Sequence, residues 1–107
     1  MASNYSILYS PSAHEELEEI YEYISRNFKA PETAREQIKR ITQAIRTLAV
    51  FPKLFRVRKK DSKGREVRLL PIDNYVIIYS VDDANYIVNI LHVLYGRRNM
   101  NYFFSLD

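Results

Sequence analysis

The chain has 107 residues, a net charge of +3 and no cysteine. That size suits one domain over 1–107, with room for a core that needs no staples. Disulfide and thiolate chemistry are excluded, no apolar run approaches the ~20 residues of a membrane span, and "MASNYSILYSPSAHEEL" is not built like a signal peptide, so a cytoplasmic protein without a membrane partner is expected.

In chain order, "YSILY" (Tyr5 to Tyr9) alternates and is rich in aromatic and β-branched residues, so it reads as a short strand. "SPSAHEE" starts a helix, with Pro11 in the first turn and Ser12 and Glu15 at capping-box spacing. Ala13, Leu17, Ile20, Tyr21, Ile24 and Phe28 then form one apolar stripe. Glu15, Glu16, Glu18, Glu19 and Glu22 fill the rest; they read as a solvated face matched to the helix dipole. "NFKAPET" breaks this helix and starts a second, whose apolar positions are Ala34, Ile38, Ile41, Ile45 and Leu48. The short link between them implies an antiparallel helical hairpin.

After Pro52 the period changes. "LFRVR" and "REVRLL" are strand-like around "KKDSKG", a basic hairpin; "YVIIYSV" and "YIVNILHVLY" are two further strands joined by the turn "DDAN". The order β-α-α-β-β-β-β implies an α+β fold, in which a largely antiparallel, twisted sheet carries a helical hairpin on one face. The last three strands are expected as antiparallel neighbours. That topology is also expected to gather distant arginines on one concave surface.

Charge is uneven. Residues 1–50 carry six basic against seven acidic side chains, whereas residues 51–107 carry ten against six. Eight basic residues fall between Lys53 and Arg68, opposed only by Asp61 and Glu66. Such a patch suggests an acidic or polyanionic partner, or else a solvated hairpin. Arg97 and Arg98 follow Gly96 at the end of the last strand. Guanidinium matches phosphate or carboxylate as a bidentate fork, and glycine can turn the chain to aim the pair. Tyr102, Phe103 and Phe104 offer stacking surfaces or a tail folded onto the sheet. His92 reads as a strand histidine satisfied by a hydrogen bond, and His14 as solvated. No metal-ligand cluster, phosphate-binding loop, dinucleotide fingerprint or nucleophile elbow is present, so no metal or cofactor is expected.

The element order, followed by "RLLPIDNYVIIYSVDDANYIVNILHVLYGRRN", resembles the RelE/ParE superfamily of toxins from bacterial type II toxin–antitoxin modules. The resemblance covers essentially the whole chain and is most specific in "LPIDNYVIIYSV" and "VLYGRRN". It implies a small basic toxin neutralised by a cognate antitoxin protein, with operator DNA reached only through that complex. RelE-like members cleave mRNA on the ribosome; ParE-like members block DNA gyrase. By position, Arg98 matches the RelE-type arginine after the last strand, Arg97 the basic residue before it, and Arg68 lies in the strand that supplies basic catalytic groups. Two positions depart from the RelE pattern. Val76 stands where an arginine is placed, and Phe104 where a tyrosine is placed, with Tyr102 two residues away. Proton transfer then lacks an obvious agent. The resemblance therefore leans towards a ParE-like gyrase inhibitor, with a RelE-like mRNA endonuclease as the alternative, and whether the chain is an enzyme stays open. In the RelE-like case Arg98, Arg68 and Tyr102 are the expected catalytic residues. Arg97, Arg98, Arg65, Arg58, Lys59 and Lys60 are the expected binding residues.

Overall fold

Strand β1 (Ser6–Tyr9) ends at Ser10, and the chain turns at once into helix α1 (Pro11–Asn27) in the computed structural model, which describes residues 4–96. Pro11 opens the helix, where a missing N–H leaves no bond unmade. The cap is Ser10 rather than the Ser12–Glu15 pair that spacing suggested. The Ser10 hydroxyl accepts from the Ala13 N–H at 3.0 Å and donates to the Leu91 carbonyl at 2.7 Å. No acid lies in the first turn, so the glutamates serve the helix dipole less than expected. Ala13 and Ile24 of the stripe are buried, and Leu17, Ile20 and Tyr21 are half-buried. Phe28 is 66 % exposed: the helix has ended, and its ring rests edge-on against Tyr23.

Helix α2 (Pro31–Arg46) starts at its own proline and runs into a 3-10 turn at Thr47–Ala49. Ala34, Ile41, Ile45 and Leu48 are fully buried, as their spacing requires. No helix among the described residues is long and apolar enough to cross a membrane.

Four strands follow: β2 (Val57–Lys60), β3 (Glu66–Ile72), β4 (Tyr75–Asp82) and β5 (Ile87–Tyr95). They form an antiparallel meander, as expected, in a sheet of order β1-β5-β4-β3-β2. Strand β1 closes the sheet by pairing parallel to β5, Ser6 opposite Ile87 and Tyr9 opposite Ile90. Strand β2 starts at Val57 rather than Leu54 and carries an irregularity between Val57 and Lys59.

Both faces of the sheet are apolar. Leu70, Ile77, Tyr79, Val88, Ile90 and Val93 pack with Ala13, Ile41, Ile45 and Leu48 of the helical layer. Val67, Leu69, Val76 and Ile78 form a second cluster, with Leu91 and Leu94 against it. Burying each of the larger aliphatic side chains contributes about 1.5–3 kcal/mol.

Asp73, in the tight turn between β3 and β4, clamps α2 to the sheet. It accepts from Arg40 Nη2 at 2.8 Å, Arg40 Nε at 2.9 Å and Gln37 Nε2 at 3.0 Å. Hydrogen bonds from Arg40, then Gln37, hold its carboxyl at about 2, below the ordinary 3.8. A carboxyl depressed in the folded state stabilises above its unfolded pKa and loses that contribution as pH falls through the folded value. Asp73→Asn should therefore lower the urea midpoint near neutral pH, and the gap from the unsubstituted chain should close as titrations approach pH 2. Ser10→Ala, which removes both bonds of that hydroxyl, should cost about 1–2 kcal/mol in the same assay.

Candidate functional site

The basic hairpin owes its shape to Asp61. Its carboxylate accepts from the Lys63 and Arg65 N–H groups, each at 2.9 Å, and from Arg65 Nε at 2.7 Å. These bonds, the Arg65 N–H first, hold its pKa below the usual range. Gly64, at φ +78°, provides the left-handed step that lets the chain return. Two further basic residues of the run are also paired: Lys53 with Asp83 at 2.7 Å and Arg68 with Glu66 at 3.0 Å. Arg56, Arg58, Lys59, Lys60 and Lys63 gather along β2 and its turn. All but the half-buried Lys59 are exposed. Because β2 is an edge strand, this is a basic rim.

Arg68 belongs to a different environment. It is 7 % exposed and lies opposite Tyr79 on the helical face. Its Nη1 donates to the Phe55 carbonyl at 2.6 Å, and Nη2 to Glu66 Oε1 at 3.0 Å. Nε is buried with no hydrogen-bond partner among the described residues. Tyr79 donates its hydroxyl to the Pro52 carbonyl at 3.0 Å. Burial pushes that hydroxyl's pKa up, with the nearby Arg68 charge opposing. The two side chains pin the segment 52–55 over the end of the sheet.

At the other end, Gly96 takes φ +80° and donates its N–H to the Asn74 carbonyl at 2.9 Å. Arg97, Arg98, Tyr102, Phe103 and Phe104 lie outside the described residues. Among the described residues, Arg68 of β3 and the Gly96 corner stand apart along the sheet. Arg68 is opposite Tyr79, whereas Tyr95 is opposite Tyr75. Strands β3 and β5 are both antiparallel to β4, so the start of one and the end of the other fall at opposite ends. At ~3.3 Å per residue, the four positions from Tyr79 to Tyr75 alone separate them by about 13 Å. Arg65 lies immediately before the start of β3.

Sequence reasoning missed Glu16. Its Oε1 accepts from the Val93 N–H at 2.8 Å, and its Oε2 lies 3.1 Å from His92 Nδ1. A signal was present: Glu16 sits three residues after Ala13 and four before Ile20, on the apolar stripe itself. Beside it lies a groove of about 700 Å³ lined by Glu16, Glu19, Tyr23, Phe28, Tyr75 and Tyr95, among others. A second groove, of about 560 Å³, runs between β1 and the two helices and is lined mainly by Ile7, Tyr9, Leu17, Tyr21 and Ile38. Among the described residues no three histidine or carboxylate side chains converge as metal ligands do.

Arg68→Ala should cost about 2–3 kcal/mol, because it removes a charged donor from a buried carbonyl. Arg56→Ala, on the exposed rim, should stay within about 0.5 kcal/mol. Chemical denaturation of both variants checks the contrast.

Comparison with known proteins bears on this geometry. The family model for the ParE toxin of the type II toxin–antitoxin system parDE matches residues 7–100. No curated protein matches the sequence. Among solved structures, a chain of the chromosomal ParDE TA system from P. aeruginosa superposes with a TM-score of 0.69 at 17 % identity, covering 89 % of this chain and 99 % of that one. A chain of the toxin–antitoxin complex RelBE2 from Mycobacterium tuberculosis superposes with a TM-score of 0.60 at 14 % identity, covering 89 % and 94 %. At such identities the superpositions establish the fold alone.

Proposed function

Because the chain belongs to the ParE toxin family of type II toxin–antitoxin systems, we propose that it is a growth inhibitor that acts by binding DNA gyrase and is held inactive by a cognate antitoxin. The observation that carries the choice of target is the placement of Arg68. A metal-free nuclease of the alternative kind needs basic groups converging on one phosphate, with a group to move the proton. Here the β3 arginine is buried against Phe55 and Glu66, and the β5 corner lies at the other end of the sheet. Val76 is 8 % exposed within an apolar cluster, so it adds no charge. Arg97 and Arg98 then act as a binding element rather than part of a catalytic set. Tyr102 keeps a catalytic role only if the chain acts as a nuclease.

An antitoxin fits the same geometry. The basic rim of Arg56, Arg58, Lys59 and Lys60 complements an acidic segment, with Arg65 at the turn beside it. The apolar groove between β1 and the helices suits one face of an amphipathic helix. The two solved relatives are a ParDE TA system and a toxin–antitoxin complex, which supports a protein partner for this chain too. The proposed site of action is the cytoplasm, and operator DNA is reached only through the antitoxin complex.

Purified chain should inhibit supercoiling of relaxed plasmid by gyrase and leave mRNA intact in a translating extract. Codon-phased mRNA cleavage with normal supercoiling would overturn the gyrase reading and make the chain a RelE-like nuclease. Arg98→Ala should weaken gyrase inhibition roughly tenfold or more, the loss expected for one charge-assisted hydrogen bond.

A further inference from the structure

Helix α1 meets β5 at Glu16, whose carboxylate accepts from the Val93 N–H at 2.8 Å and lies 3.1 Å from His92 Nδ1. The groove of about 700 Å³ lies here, between α1 and the adjoining ends of β4 and β5. Each of its walls carries a pair of aromatic rings. On the helical wall Tyr23 and Phe28 meet edge-on, with centroids 6.3 Å apart. On the sheet wall Tyr75 and Tyr95, opposite one another at the start of β4 and the end of β5, meet edge-on at 5.4 Å. The phenols share one space: the Tyr75 hydroxyl pKa is raised, first by burial and then by Tyr95, Asp73 and Tyr23.

Charge in the groove has one sign. Glu16 and Glu19 line it, and among the described residues no lysine or arginine does. Glu19 is exposed and makes no hydrogen bond or ion pair with a described residue. That is the opposite of the β2 rim, in a chain whose net charge is positive. The face of an aromatic ring is negative at its centre and attracts a cation, the more so when water is partly excluded. The same carboxylates repel a phosphate or an acidic segment.

How far the rings are exposed decides the kind of ligand. Tyr23, Phe28 and Tyr95 are 62 %, 66 % and 56 % exposed. A free small molecule is enclosed over most of its surface in its site, and rings this open do not enclose one. A side chain carried on a protein brings a surrounding surface that shuts out water, and aromatic side chains are common anchors of such contacts. Guanidinium fits better than ammonium, because its plane stacks on a ring while its edge donates to a carboxylate.

We propose that this groove is a docking site for an arginine side chain of a partner protein, held between the Tyr23–Phe28 and Tyr75–Tyr95 walls and paired with Glu19 and Glu16. The partner segment at this site is basic, unlike the acidic one that suits the β2 rim. The inference does not depend on gyrase being the target.

A blocked Leu-Arg-Leu tripeptide, and the same peptide with citrulline, which keeps the shape and loses the charge, test it on the full chain. In NMR titrations the arginine peptide should shift the ring signals of Tyr23, Phe28, Tyr75 and Tyr95. It should bind at least about fivefold more tightly than the citrulline peptide. Glu19→Gln and Tyr23→Leu, both at exposed positions, should each weaken the arginine peptide about threefold. Equal affinity for the two peptides, no binding at millimolar concentration, or shifts confined to the β2 rim would overturn the proposal. So would free arginine binding as tightly as the peptide, because the ligand would then be a small molecule. Concentration-dependent sedimentation with ring shifts in the peptide-free chain would also overturn it, by making the occupant a second copy. Ring shifts caused by Arg97→Gln or Arg98→Gln alone would do the same, by making the occupant the chain itself.

Discussion

An edge problem in β5 organises the molecule. The strand runs to Tyr95, but its parallel partner β1 stops at Tyr9, opposite Ile90. Backbone groups beyond that point need partners, since a buried unpaired donor or acceptor costs about 1–3 kcal/mol. Helix α1 supplies them. The Ser10 N–H donates to the Ile90 carbonyl, the Ser10 hydroxyl donates to the Leu91 carbonyl, and Glu16 accepts from the Val93 N–H. The first turns of α1 thus stand where a longer β1 would have stood. This fixes where α1 crosses the sheet, and with it the position of α2 and both grooves.

The same sheet determines what the basic residues can do together. Among the described residues, the charge concentrated between Lys53 and Arg68 becomes two separate features in space. The rim on β2 faces water, and Arg68 anchors the segment leading into β2. An exposed basic rim attracts acidic groups over a Debye length of about 8 Å at physiological salt.

Much of the fold was legible because its signals are local. The stripe Ala34, Ile41, Ile45 and Leu48 has helical period, and β4 and β5 are β-branched runs separated by turn residues. What was not legible depends on register and on which face a side chain takes. Arg68 alternates with Val67 and Leu69, and where both faces are apolar the pattern does not say which one receives the arginine. Parallel pairing of β1 with β5 links residues some eighty positions apart, beyond any local pattern. The cap at Ser10 was hidden because Ser12 offered the more familiar motif, while the deciding contact comes from Leu91. Glu16 was read with its solvated neighbours although its place on the apolar stripe set it apart.

The pairing of β1 with β5 also has a consequence for biosynthesis. Ser6 meets Ile87 and Tyr9 meets Ile90, so the first strand has no partner in the sheet until the last one has been made. Closing a loop of that length costs about 4 kcal/mol of chain entropy before any contact repays it. During synthesis the two helices therefore wait, their apolar faces lacking half of the core that will bury them. The finished fold is reached only when the polypeptide is nearly complete, while a nascent chain displays hydrophobic surfaces that a chaperone would recognise.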